Sequence, residues 1–171
     1  MTTLCDIPFH IPNSEDEPGS FGAVRKHDVH CGVDIYLPEG TPVQFLRGGE
    51  VIALERFTGP LAGSPWWNDT WAVHVYTGTD TDVYGEVYEP SHLKVGQRVF
   101  PGDLCGHVAK VLKKMKGSPM SMLHFEQYDG KCLETAIWEP GKRRPYRLLD
   151  PTLFLLGYQK EFALKMLENM I

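Results

Sequence analysis

The 171-residue chain lacks any surplus of basic residues: 17 Lys and Arg stand against 22 Asp and Glu, a formal net charge of −5. A surface that neutralises phosphates needs clustered cations, so nucleic acid and anionic membrane are set aside as the main partners. No run of about 18 apolar residues is present, which removes a membrane-spanning helix. The opening Met1-Thr2-Thr3-Leu4-Cys5-Asp6-Ile7-Pro8 has neither a basic start nor an apolar stretch. The expectation is therefore a cytoplasmic protein without a signal peptide, with release by lysis or trimming from a longer chain as the alternatives. The four cysteines, Cys5, Cys31, Cys105 and Cys132, form no Cys-x-x-Cys pair and read as free thiols of a reducing compartment. Turn-forming residues, by contrast, are plentiful. Seventeen glycines and thirteen prolines spread along the chain favour many short strands over long helices.

The apolar pattern agrees. Trp71-Ala72-Val73-His74-Val75-Tyr76 alternates at period two, turns at Thr77–Asp80, and returns through Thr81–Tyr88 as a hairpin. Val33–Leu54 reads as two strands parted by Pro38–Pro42, and short strands flank Val95-Gly96-Gln97 and Pro101-Gly102-Asp103. Residues 58–70 read as a loop whose Trp66-Trp67 pair either lines a groove or caps the core. The basic run Lys113–Pro119 reads as solvated surface. After Pro151 the pattern changes: Phe162, Met166, Met170 and Leu164, Leu167, Ile171 recur at three-to-four spacing, as in one amphipathic helix. Its apolar side either docks on the β part or makes a homodimer contact.

Candidate chemistry lies in two separated runs. His30-Cys31-Gly32-Val33-Asp34-Ile35 holds an imidazole and a carboxylate four residues apart. A straight strand would put them ~13 Å apart at ~3.3 Å per residue, so a shared metal ion requires a bend, expected at Gly32. A surface histidine beside a turn-proximal aspartate is the other reading. The second run is Ser121-Met122-Leu123-His124-Phe125-Glu126, where alternation puts Leu123 and Phe125 on a core face and Met122, His124 and Glu126 together on the opposite one. His27 reads as a loop histidine near the site.

In their order along residues 21–130, these runs resemble the M23 (lysostaphin-like, LytM-type) zinc metallopeptidases. Phe21-Gly22, His30–Ile35 with Gly40-Thr41-Pro42-Val43, Tyr84-Gly85, Lys94–Val99 and Leu123-His124-Phe125-Glu126 carry the likeness. The resemblance implies a mainly β fold, a small antiparallel β-sandwich or barrel of the duplicated hybrid motif type, with the C-terminal helix added. It implies a β domain over residues 1–150 with the helix of 151–171 packed on it. It also implies Zn²⁺ held by His30, Asp34 and His124, with a coordination position left open as catalytic zinc requires. His27, Trp66, Trp67, Tyr84 and Met122 would line the groove. Two departures stand out: Glu86 replaces the histidine of the family's Tyr-x-His, and Met122 replaces the first histidine of its His-x-His. Glu86 becomes the candidate base and His92 the substitute, with His92 or Tyr84 helping at the oxyanion. By strand alternation Glu86 shares a face with Tyr84 and Tyr88.

Three functions follow. The first is a divergent zinc endopeptidase acting on peptide crosslinks of the peptidoglycan type. The second is a catalytically inactive metal- and peptide-binding module. The third is a phosphotransfer domain of the IIA type, which accounts for His30 and Asp34 but leaves Leu123-His124-Phe125-Glu126 without a role.

Overall fold

A computed structural model describes residues 2–117 and 119–171; Met1 and Ser118, the latter in the basic run 113–119, lie outside them. The chain opens irregularly and then builds β1 (Val33–Tyr36), β2 (Pro42–Gln44), β3 (Gly49–Thr58), β4 (Thr70–Tyr76), β5 (Asp80–Val87), β6 (Arg98–Val99), β7 (Leu104–His107), β8 (Met122–Asp129) and β9 (Leu148–Leu149). The helix α1 (Thr152–Glu168) closes it. The architecture is mainly β and antiparallel, with the helix at the end, as the turn-rich composition leads one to expect. A seven-stranded sheet runs β1-β8-β5-β4-β3-β6, with β9 added to β8, and β2 pairs with β7 in a separate two-stranded sheet. The main sheet stays open, with β1 and β6 at its ends, and does not close into a barrel.

Period-two alternation divides β8 between two faces. Leu123 and Phe125 are fully buried on one, where Phe125 meets Tyr84 edge-on at 5.1 Å and Tyr84 meets Phe45 at 5.3 Å. Helix α1 covers this face: Phe154 stacks on Phe125 at 5.9 Å, and the Tyr158 hydroxyl donates to the Leu46 carbonyl at 3.1 Å. Arg47 lies over the Phe154 ring at 4.9 Å and is paired to Asp82 and Asp80. The helix buries Leu155 and Phe162, but Leu164, Met166, Leu167, Met170 and Ile171 are exposed. Helical spacing of apolar residues thus marks the helix, which ends at Glu168 short of Met170 and Ile171, while its last turns leave their apolar residues exposed. Among the described residues no helix is long and apolar enough to cross a membrane. All four cysteines are free; Cys5, Cys31 and Cys105 are buried and Cys132 is half-buried.

Candidate active site

The other face of β8 carries the polar groups. Antiparallel pairing sets Asp34 of β1 directly opposite His124 of β8, and Tyr36 opposite Met122. Directly opposed side chains on one face of such a pair stand ~5 Å apart at Cβ, so Asp34 and His124 meet by register alone. His30 reaches them from outside the strand, since β1 begins only at Val33. Its backbone is tied into the preceding loop: His30 N–H donates to the Ala23 carbonyl, and the His30 carbonyl accepts from Gly22 N–H, both at 2.9 Å. Gly32 serves here by its lack of a side chain. A Cβ there would stand 2.5 Å from the Phe125 carbonyl oxygen and 2.8 Å from His124 Nε2. It permits the close approach of the segment to β8, and the backbone bends at this glycine just before β1, as the sequence leads one to expect.

The result is a tight, buried cluster. His30 Nε2 lies 3.1 Å from Asp34 Oδ1 and 3.1 Å from His124 Nδ1, and His124 Nδ1 lies 2.8 Å from Asp34 Oδ1. The outward-facing ring nitrogens are satisfied by acceptors: His30 Nδ1 by the Ser20 carbonyl at 2.9 Å, and His124 Nε2 by Glu126 Oε1 at 2.7 Å. Glu126 is held in turn by the Tyr128 hydroxyl, which accepts Ala136 N–H at 2.7 Å. Arg25 donates to Asp34 Oδ2 at 2.9 Å and to the Pro18 carbonyl at 3.0 Å. Acceptors on the far nitrogens of two histidines are the usual outer support of metal-binding imidazoles. Two imidazole nitrogens and a carboxylate oxygen converging on one point also repel one another unless a cation or a proton sits among them. In the protein alone a proton takes that part. Burial would lower the basicity of His124, but the carboxylates Asp34 and Glu126 overcome it and push its pKa up to about 10. Asp34, despite a burial that opposes ionisation, is held far below the carboxylate range by His30 and His124. The donor set fits zinc, which takes imidazole nitrogen and carboxylate oxygen together.

Glu86 enters by an irregularity. Trp71 pairs with Val87 and Val73 with Tyr84, so Gly85 and Glu86 together oppose Ala72 in a bulge. Glu86 has φ of +61°, the only non-glycine residue with positive φ among those described. Such a backbone costs ~1–3 kcal/mol and gathers at functional sites. The bulge cancels alternation: Tyr84 is in the core, with its hydroxyl accepting Leu46 N–H at 2.9 Å, while Glu86 turns to the groove. Tyr84 and Glu86 therefore lie on opposite sides of the sheet, contrary to the alternation reading. Gly85 is required by Phe57, whose ring would lie 2.9 Å from a Cβ there and packs 5.2 Å from the His124 ring. The Glu86 carboxylate is buried, and Oε2 accepts from Thr70 at 2.6 Å and from Thr58 at 3.0 Å. Burial pushes its pKa up to about 7 against the opposing pull of Thr70 and the positive His124.

Cluster and Glu86 share one cleft of ≈ 560 Å³, whose apolar lining includes Trp67, Leu112, Ile137 and Trp138. Met122 lies in its lining beside His124. Of the other residues singled out from the sequence, Trp67 lines the cleft. Trp66 does not; it is exposed and packs edge-on against Trp67 at 5.9 Å. His27 is exposed on the turn before Asp28 and stays outside the cleft. His92 is exposed on the loop after β5, tied to the Leu104 carbonyl at 3.0 Å, and also lies outside it. The sequence offered little sign of Arg25, Thr58, Thr70 or Trp138. Thr58 and Thr70 looked like the edges of a loop, and they are the paired ends of β3 and β4.

No family model and no curated protein matches the chain. Solved structures do. The architecture is that of small β peptidase domains, and more particularly it is M23-like. The catalytic domain of an A109H mutant of EnpA, a prophage-encoded M23 protein from Enterococcus faecalis, matches with a TM-score of 0.53 at 20% identity, over 88% of this chain and 94% of that one. LytU matches with a TM-score of 0.55 at 20% identity, over 89% of this chain and 88% of its own. The antimicrobial peptidase lysostaphin from Staphylococcus simulans matches with a TM-score of 0.53 at 18% identity, over 88% of this chain and 51% of that one.

Proposed function

We propose that this protein is a zinc-dependent endopeptidase acting on peptide crosslinks of the peptidoglycan type. The observation that carries this reading is the convergence of His30, Asp34 and His124 donor atoms, all within 4.8 Å of one another, inside a cleft that also holds Glu86. His30 Nε2, Asp34 Oδ1 and His124 Nδ1 hold the ion; Ser20, Glu126 and Arg25 fix their orientation. Bound zinc supplies Lewis acidity, polarising a scissile carbonyl and making water more acidic. Glu86, with a pKa near neutrality, accepts the proton of the attacking water and returns it to the departing amine. Arg25 and Tyr36, both in the cleft lining, are the donors available to the developing oxyanion, because Met122 offers none, Tyr84 is in the core and His92 is outside. Trp67, Ile137 and Trp138 grip an extended peptide. The peptidase machinery lies within residues 1–150, with α1 as a support on the far face of the sheet. A phosphotransfer role fits less well, since both His30 nitrogens are already engaged with Ser20 and with the cluster.

The Met122 position favours a second reading, a module that binds zinc and peptide without cleaving. Removing one oxyanion donor typically costs ~10²–10³ in rate. Metal content by plasma emission, paired with release of soluble peptides from purified peptidoglycan and from oligoglycine, separates the two. One zinc per chain with cleavage supports the enzyme, zinc without cleavage leaves the binding module, and a chain that takes up no zinc overturns both.

A further inference from the structure

Thr58 and Thr70 face each other across the β3–β4 pair and are 5% and 1% exposed. Buried threonines at paired strand ends ordinarily satisfy their hydroxyls on nearby backbone. These two form a chain that leads to Glu86 instead. The Asn68 carbonyl is 3.1 Å from Thr58 Oγ1, Thr58 Oγ1 is 2.6 Å from Thr70 Oγ1, and Thr70 Oγ1 is 2.6 Å from Glu86 Oε2; Thr58 Oγ1 also lies 3.0 Å from that same oxygen.

Each hydroxyl has one proton to give and lone pairs to receive. With Glu86 ionised, Thr70 donates to Oε2 and Thr58 donates to Thr70, with Oε2 as its other acceptor at 3.0 Å. With a proton on Oε1 the same bonds persist. With a proton on Oε2 the chain reverses: Glu86 donates to Thr70, Thr70 to Thr58, and Thr58 to the Asn68 carbonyl. Every buried hydroxyl is thus partnered in every protonation state, and only hydroxyl rotations separate the states. An unpartnered buried hydroxyl in any one of them would have favoured the others. The chain engages Oε2 alone, so Oε1 is the oxygen left for the cleft. The remaining groups acting on Glu86 are charged, His124 from β8 and Asp34 from β1.

We propose that Thr58 and Thr70 are positioning residues for Glu86, a hydroxyl relay that clamps Oε2 in both the carboxylate and the carboxylic acid and so presents Oε1 to the substrate. This rests on the reading of Glu86 as the base. It also accounts for the positive φ at Glu86: the bulge aims the side chain, and the relay holds it there.

The test compares Thr70→Val and Thr58→Val, which keep shape and remove the hydroxyl, with Thr70→Ser, which restores it. Two readouts are taken on each protein: kcat and KM on a peptide the wild type cleaves, and the carbon-13 carboxyl resonance of Glu86 followed with pH, assigned by its loss in Glu86→Gln. We expect Thr70→Val to lower kcat roughly tenfold with KM little changed, as for loss of one hydrogen bond to a charged group. The Glu86 resonance should titrate at higher pH in Thr70→Val, and Thr70→Ser should restore both values. Should Thr70→Val not fold, Thr58→Val carries the same comparison. Unchanged kcat and an unmoved resonance in the valine variants would overturn the relay, as would failure of serine to restore them. If the wild type cleaves no peptide, the enzymatic reading fails, and the resonance alone decides whether the threonines govern Glu86.

Discussion

Phe125 and His124 are neighbours in one strand, and they live under opposite rules. On the Phe125 side, Val33, Ile35, Leu123 and Tyr84 interlock beneath α1, fully buried. On the His124 side, the same three strands present Asp34, Met122, Glu126 and a bulged Glu86 to a cleft. Alternation alone produces the first face. The second needs exceptions: a glycine where β1 approaches β8, a two-residue bulge in β5, a left-handed glutamate, and a histidine brought in from a loop. The core face thus obeys general packing rules and tolerates volume-conserving change, while the cleft face departs from local preference wherever a donor atom has to be aimed.

The strongest way to break this comparison is to cut each face at adjacent residues. His124→Ala removes one of the cluster's three donors and the group that pairs with both Asp34 and Glu126. Zinc uptake should fall from one per chain to none and cleavage should vanish, with the fold retained by circular dichroism. Retained zinc stoichiometry would remove His124 from the ligand set. Phe125→Ala should do the reverse. It opens a cavity against Tyr84 and Phe154 and should cost ~3–5 kcal/mol in urea unfolding. The molecules that remain folded should still bind zinc.

Glu86 sharpens the contrast through pH. Its folded-state pKa, raised to about 7 from 4.5, means that the folded protein holds this proton more tightly than the unfolded chain does. Below pH 4.5 the group is neutral in both states and carries no penalty. As pH rises from 4.5 to about 7 the unfolded chain ionises first, so the folded state loses stability across that window, and above it the full penalty remains. Glu86→Gln cannot ionise and should escape this. Stripped of metal by a chelator, the variant should match wild type near pH 4.5 and exceed its unfolding free energy by up to roughly 3 kcal/mol at pH 8. Wild-type stability that rises with pH across this window relative to the glutamine variant would contradict the burial of an ionising Glu86. In the zinc-loaded protein the same substitution should abolish cleavage while leaving zinc bound.

Much of this was legible in the sequence, and the boundary has physical causes. The strands of the hairpin, the alternation of β8 and the final helix follow from periods of two and 3.6, which local sequence carries directly. The grouping of His30, Asp34 and His124 followed from matched motifs in order. Glu86 was singled out by its place in the matched motif and was expected on the face of Tyr84; the bulge that separates the two leaves no mark in the alternation. Thr58, Thr70 and Trp138 depend on pairing between segments distant in sequence, as does the open rather than closed sheet. Met166 and Leu167 illustrate the converse: their spacing is helical, yet both are exposed.

Gly32→Ala probes the join between the faces. The added methyl would meet the Phe125 carbonyl and the His124 ring, so β1 must draw away from β8. An overpacking cost of ~1–3 kcal/mol is expected in urea unfolding, together with weaker zinc binding because Asp34 and His30 move with the strand. Loss of stability without loss of zinc affinity would show that the cluster adjusts independently of the sheet.

His92→Ala should have the smallest effect, and its value lies in what it decides. As a sequence feature, His92 competes with Glu86 for the role of base, since an imidazole is the usual proton acceptor near neutral pH. In the folded protein its ring is exposed, its Nε2 is engaged with the Leu104 carbonyl at 3.0 Å, and it lies outside the lining of the cleft. A base has to come within hydrogen-bond reach of the proton it takes, ~2.6–3.2 Å directly or through one water, and a side chain outside the cleft does not. Replacing it removes a single exposed hydrogen bond, so stability should change by no more than about 0.5 kcal/mol. Zinc content, kcat and the pH profile of cleavage should all match the wild type. If His92→Ala instead removes the acid limb of that profile while Glu86→Gln leaves it in place, the loop after β5 closes over the cleft during turnover and the roles of the two residues are exchanged.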